Sequence, residues 1–179
     1  MHRLRDLGDR ILIVGPPGAG KTTFALRLAE LTGFPVVHFD RVQFTEGWGM
    51  RPGDEVVAHL HPLLDDGNWI AEGDINTGYA AAVSRADAIV CLDYSLCRCF
   101  CRYFLRTVFN YGRVRPEVAD GCADRFESRL PWRIVQWIRQ RRNRTIRRLT
   151  TAPSHVRTFR VRSPRQLAVL TENWLVLQQ

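Results

Sequence analysis

Residues 11–23 read ILIVGPPGAGKTT, and the order of parts in this stretch decides the fold. Ile11–Val14 is a short aliphatic run of the kind that forms a strand buried on both faces. Gly15, Gly20, Lys21 and Thr22 then match the pattern G-x-x-x-x-G-K-[ST], and a helical pattern follows over Lys21–Leu31. Strand, glycine loop and helix in that order make a phosphate cradle. Glycines let backbone N–H groups turn inward, and the helix N-terminus adds unpaired donors and a partial positive charge. Gly15, Pro16, Pro17, Gly18, Ala19, Gly20, Lys21, Thr22 and Thr23 are therefore the expected nucleotide-binding residues. Thr22 supplies a hydroxyl for Mg²⁺, and Thr23 is positioned for an α-phosphate.

Of the twenty-six lysines and arginines in the chain, Lys21 is the only lysine. An ammonium on a thin stem reaches over such a loop to sit between phosphates. A planar guanidinium does not replace it there.

Working outward, apolar runs alternate with helical patterns along the 179 residues. Val36–Phe39, Trp69–Ala71, Ala88–Leu92 and Val156–Val161 read as further strands. Helices are expected over Asp54–Leu64, about Leu96–Tyr111, about Trp132–Leu149 and from Pro164 onward. The alternation predicts one α/β domain, a five-stranded parallel sheet with helices on both faces.

Carboxylates at the ends of parallel strands stand near the phosphate loop. Asp40 is a candidate base or orienting group for an acceptor hydroxyl, and Glu72 a candidate for the Mg²⁺ shell. Asp93 is a weaker candidate, because a strand-end carboxylate also serves to cap a helix.

Arg98, Arg102 and Arg106 are spaced by four and share a helix face. Phe100, Phe104 and Val108 form an apolar stripe beside them, and Arg139, Arg141, Arg142 and Arg144 crowd the next helix. With the glycine-containing loop between, these helices suggest an arginine-rich lid at about residues 96–149. Arg102, Arg106 and Arg142 are its candidate catalytic arginines. A solvated basic face and a stripe for nucleic-acid backbone remain the alternatives.

A formal charge of +8 and a pI near 9.9 point to an anionic partner, nucleotide or nucleic acid. No apolar run approaches the roughly 18 residues that span a bilayer. The first residues show no secretory core, so a cytoplasmic protein is expected. Cys91, Cys97, Cys99, Cys101 and Cys122 are expected to be reduced thiols, not zinc ligands.

Taken together, GPPGAGKTT, HFDRVQFTEGW (38–48), WIAEGDIN (69–76), AIVCLDYS (88–95) and GRVRPEVADGC (112–122) with the RQRRNRTIRRL helix resemble the adenylate-kinase-like nucleoside and small-molecule kinases. The chain is more closely similar to bacterial P-loop proteins labelled DNA topology modulation proteins. The resemblance implies an adenylate-kinase-type sheet, ATP and Mg²⁺ at Gly15–Thr23, an acceptor oriented by Asp40, and adenine near Arg162-Ser163-Pro164. Relatives read D-G-N-Y where this chain reads EGDI, with Asp74 and Ile75 departing from the pattern. The expected activity is transfer of the ATP γ-phosphate to a small acceptor by a monomer. Trp48 and Arg51 are candidates on the acceptor side, Trp48 for stacking or lid packing and Arg51 for an acceptor phosphate. A nucleic-acid-linked or regulatory ATPase is the alternative, although no dedicated DNA-reading motif is visible.

Overall fold

The computed structural model describes residues 7–65, 67–73, 78–123, 132, 135 and 142–175. Its centre is a parallel sheet of β1 (Arg10–Val14), β2 (Val36–His38), β5 (Trp69–Glu72), β6 (Ala88–Leu92) and β7 (Arg157–Val161). The strand order is β2-β5-β1-β6-β7. β1 is central and fully paired, with Ile11 opposite Ile70 on one side and opposite Ala88 on the other. That placement explains its unbroken aliphatic run, because both faces of the strand are covered. A separate two-stranded hairpin joins β3 (Phe44–Thr45) to β4 (Gly49–Met50).

The helices are α1 (Lys21–Thr32), α2 (Phe39–Gln43), α3 (Gly53–Asp65), α4 (Tyr79–Val83), α5 (Leu96–Phe109), α6 (Arg142–Thr150) and α7 (Pro164–Leu175). The sheet divides the core into two clusters. Ile13, Phe24, Leu28, Val90 and Phe159 pack on one face, and Leu12, Leu60, Trp69 and Ile89 pack on the other. Gly33 stops α1 in the left-handed conformation, with its N–H donating to the Ala29 carbonyl at 2.8 Å.

One expectation changes. Strand two ends at His38, so Phe39 and Asp40 open α2 instead of ending a strand. The apolar stripe of Phe100, Phe104 and Val108 is a third or more exposed. The helix turns Cys99 and Thr107 inward, both buried. Among the described residues, no helix is long and apolar enough to cross a membrane. Asp74, Ile75, Arg139 and Arg141 lie outside the described residues.

Candidate active site

The phosphate loop runs from the end of β1 into α1 with Gly18 at φ +78° and Gly20 at φ +91°. L-residues avoid this region, and space forbids a side chain as well. A Cβ on Gly18 would strike the Cys99 carbonyl oxygen of α5. A Cβ on Gly20 would come within 3.0 Å of the Arg102 guanidinium. The loop is thus pressed against α5, and Arg102 stands directly over it.

Lys21 arches back over the loop. Its Nζ donates to the carbonyls of Gly15 at 3.1 Å and Pro16 at 3.3 Å. Thr22 Oγ1 donates to Glu72 Oε1 at 3.0 Å. The same oxygen accepts from His38 Nδ1 at 2.8 Å, so this ring nitrogen carries the proton. His38 and Glu72 are direct register partners between β2 and β5. Burial alone would raise the Glu72 carboxyl. The His38 hydrogen bond, the Lys21 charge and the Thr22 hydroxyl outweigh it and hold Glu72 below the ordinary carboxylate range.

A cavity of about 920 Å³ opens in front of these groups. Pro17, Gly18, Gly20, Lys21, Thr22, Thr23 and Glu72 form its phosphate end. Gly15 and Pro16 contribute through the carbonyls that hold Lys21, and Ala19 is buried behind the loop. Arg102, Tyr103, Arg106 and Asn110 of α5 form one wall. The Arg106 guanidinium lies over the Tyr103 ring, 4.5 Å from its centroid, and its Nε is buried with no hydrogen-bond partner. Asp40, Gln43, Phe44, Trp48 and Met50 form the far end, closed by Arg115, Pro116 and Glu117.

The far end is held by contacts between distant segments. The Trp48 backbone N–H donates to Cys122 Sγ at 3.3 Å, and its indole Nε1 donates to the Ala123 carbonyl at 3.0 Å. The Cys122 thiol donates in turn to the Thr45 carbonyl at 3.2 Å. Trp48 has φ +67°, the single positive value for a non-glycine residue among those described. The loop grips both its main chain and its indole, and this holds the strained conformation in place.

The structure therefore gathers Lys21, Thr22, Asp40, Glu72, Arg102 and Arg106 around one cavity. Arg142 is not among them. Its guanidinium makes two hydrogen bonds to Asp93, at 2.7 and 3.1 Å, and Arg160 makes two more at 2.9 and 2.6 Å. Burial would raise the Asp93 carboxyl, but the two guanidinium groups hold it below its usual value. Asp93 and Arg142 thus tie β6 to α6 and β7, and Arg142 is a structural residue and not a wall of the cavity. Neither Arg51 nor the Arg162-Ser163-Pro164 segment lines the cavity, and Arg98 is exposed outside it. Trp48 lines the cavity and is tied to the 122–123 segment by its main chain and its indole. His38 is a site residue that sequence reading missed. Its signal was a titratable side chain inside a buried strand, one residue before the Phe39-Asp40 pair. All five cysteines are free thiols, and burial beside Asp93 pushes the Cys91 thiol up to about 12, far from a reactive thiolate.

Comparison with known proteins covers different parts of this architecture. A family model described as isopentenyl transferase matches residues 9–92, which ends at the last residue of β6. The chain is 33% identical over 82 residues to the adenylate kinase of Mesorhizobium japonicum, a match covering 44% of this chain and 38% of that enzyme. It is 46% identical over 62 residues to the ATP-dependent protease ATPase subunit ClpY of Bacillus velezensis, covering 33% of this chain and 13% of that protein. The chain thus spans well under half the length of these curated relatives. Two solved structures superpose over nearly the whole chain. The shikimate kinase of Bacteroides thetaiotaomicron gives a TM-score of 0.57 at 16% identity, covering 94% of this chain and 96% of that one. A gluconokinase from Sinorhizobium meliloti gives 0.52 at 14% identity, covering 99% and 94%. The protein has the five-stranded α/β fold of P-loop kinases.

Proposed function

We propose that this protein is an ATP-dependent kinase that transfers the γ-phosphate to the hydroxyl of a small molecule or nucleotide. The observation that carries the reading is the position of Arg102 and Arg106. One stands over Gly20 of the phosphate loop, and the other lines the same cavity beside it. A phosphoryl group in transfer spreads charge over its oxygens, and donors fixed around it in advance stabilise that charge.

The geometry supports the following roles. The loop N–H groups and Lys21 bind the β- and γ-phosphates. The acceptor oxygen forms its bond to the γ-phosphorus as the bond to the β,γ-bridging oxygen breaks, and ADP leaves. Asp40 orients the acceptor hydroxyl and takes its proton. Thr22 and Glu72 offer a hydroxyl and an ionised carboxylate 3.0 Å apart, a hard-oxygen donor set that suits Mg²⁺. Mg²⁺ would neutralise charge on the phosphates. The segment at about 96–149 acts as the lid, without Arg142. The free thiols suit a reducing compartment such as the cytoplasm, and the protein acts as a monomer.

The rival reading is a nucleic-acid-linked ATPase of the DNA topology modulation type. It needs an outward basic stripe, but two of the three evenly spaced arginines of α5 face the cavity. The isopentenyl transferase match spans β1 to β6 with the phosphate loop, Asp40 and the hairpin, and stops before α5.

The test is ADP release from Mg-ATP with and without small acceptors and DNA. One small acceptor should stimulate release and become phosphorylated. Lys21→Met should lower that turnover by on the order of a thousandfold. Stimulation by DNA alone, or full activity of Lys21→Met, would overturn the reading.

A further inference from the structure

His38 reaches the site from behind. Its imidazole is 14% exposed and does not line the cavity, but its Nδ1 donates to Glu72, which does. Register partners on adjacent strands put their side chains on the same face of the sheet, so the pairing of β2 with β5 sets up this contact. His38 also stands at the N-cap of α2, where a polar side chain often bonds the helix, yet its ring makes no cap hydrogen bond. The ring N–H is given to Glu72 instead.

The bonding at Glu72 is one-sided. The hydrogen bonds from His38 and Thr22 both fall on Oε1, and among the described residues none falls on Oε2. Glu72 lines the cavity, so Oε2 is the oxygen it has to offer there. The Thr22 hydroxyl has a single proton, and giving it to Oε1 leaves the lone pairs of Oγ1 for a cation. A glutamate side chain turns about three torsions, and one bond from Thr22 fixes the oxygen without fixing the plane of the carboxylate. A second donor, on a different element, fixes the plane. The Lys21 charge also acts on Glu72. A carboxylate released from His38 can turn toward that ammonium, and both groups would then be drawn from their roles.

We propose that His38 is a positioning residue for the transfer reaction. Its Nδ1–H pins the Glu72 carboxylate so that Oε1 takes the Thr22 proton and Oε2 faces the cavity, ready for Mg²⁺ or its water shell. The inference rests on the kinase reading above. The ring stands behind Glu72 and outside the cavity, so it acts through that carboxylate and moves no proton of the substrates. Groups that orient a metal-facing carboxylate are worth about tenfold to a hundredfold in metal affinity or activity.

The experiment compares His38→Asn, which keeps an N–H donor near the Nδ1 position, with His38→Leu, which keeps bulk and removes the donor. ATP affinity is measured with and without Mg²⁺, Mn²⁺ binding to the protein–ATP complex is read by electron paramagnetic resonance, and turnover of Mg-ATP and Tm are recorded. His38→Leu should lower Mn²⁺ affinity and turnover by about tenfold or more while metal-free ATP affinity stays within about twofold of wild type. His38→Asn should recover most of both losses. Wild-type Mn²⁺ affinity in His38→Leu would overturn the proposal. So would an equal loss of ATP binding with and without metal, or an Asn variant as impaired as the Leu variant. Should His38→Leu fail to fold, His38→Asn decides alone: near wild-type Mn²⁺ affinity supports the role, and a loss of about tenfold overturns it. A wild-type protein that binds Mg-ATP and phosphorylates no acceptor would sink the kinase reading, while the Mn²⁺ comparison would still judge whether His38 positions Glu72.

Discussion

At the phosphate-loop end of the cavity, the loop, its lysine and its Thr22 hydroxyl come from consecutive residues, 15 to 23. At the other end, the proposed acceptor end, Trp48 reaches Cys122 across 74 positions and Ala123 across 75. The first region is an order of parts along a chain; the second is a meeting of two loops. The phosphate end uses mainly backbone groups in conformations that only glycine adopts easily, so its chemistry is written as a motif. The acceptor end uses side chains whose partners depend on how the chain folds around the sheet. The contrast teaches that a phosphate loop can be held by local geometry, while the opposite end of the same cavity is held by tertiary contacts between distant segments.

The sharpest test of this division is Glu72, where the phosphate end first needs a distant residue. Glu72→Gln keeps the shape but removes the charge and one acceptor oxygen, and it disturbs both the Thr22 and His38 hydrogen bonds. Turnover should fall roughly a hundredfold, about 3 kcal/mol, with a smaller change in ATP affinity. Steady-state kinetics beside direct ATP binding would separate the two. A variant within a few-fold of wild type would mean that the phosphate end stops with the motif, and the contrast would become sharper still.

Legibility in the sequence follows the same division. The strand order could not be read from strand patterns, yet it makes His38 and Glu72 neighbours, because β2 pairs with β5 and not with β1. Glu72 was legible because a parallel sheet brings its strand ends to one edge, whereas Asp40 lines the cavity from the first turn of α2 and not from a strand end. Arg102 and Arg106 were legible as a helix face, but spacing gave Arg142 no partner, and its true partner is a buried strand-end carboxylate. Trp48 and the glycine-cysteine segment each stood out as unusual sequence. Nothing in either stretch announced that they touch, since that contact needs the sheet, α2 and α5 already in place.

Asp93 tests a region that belongs to neither end of the cavity. Asp93→Asn should destabilise the protein by about 2–3 kcal/mol, because two guanidinium groups lose a carboxylate whose side chain is 2% exposed. The wild-type carboxyl sits below its unfolded-state value. Its stabilising contribution is therefore present above that value, about 3.9, and is lost as pH falls through the lower folded value. The difference in Tm between wild type and variant should shrink on acidification. ATP affinity near neutral pH should change little if Arg142 is structural. A large loss of transfer without loss of stability would return Arg142 to the catalytic group.

Trp48→Gly should give the smallest effect on stability, because it sets two terms against each other. Glycine at φ +67° removes a strain of roughly 1–2 kcal/mol that an L-residue bears there. The change also deletes the indole hydrogen bond to Ala123 and the contact with Phe44, together worth about 1–2 kcal/mol. The backbone N–H to the Cys122 thiol and the thiol to the Thr45 carbonyl survive, so the hairpin keeps two of these three ties to the loop. Net stability should move by less than about 1 kcal/mol, a Tm shift of a few degrees at most. Acceptor KM should nonetheless rise several-fold, because one wall of the acceptor end loses its aromatic face and its fixed distance from the other. A glycine variant with unchanged acceptor KM would mean that Trp48 serves folding alone. A variant that loses ATP binding to the same degree would mean that the two ends of the cavity are not separately built.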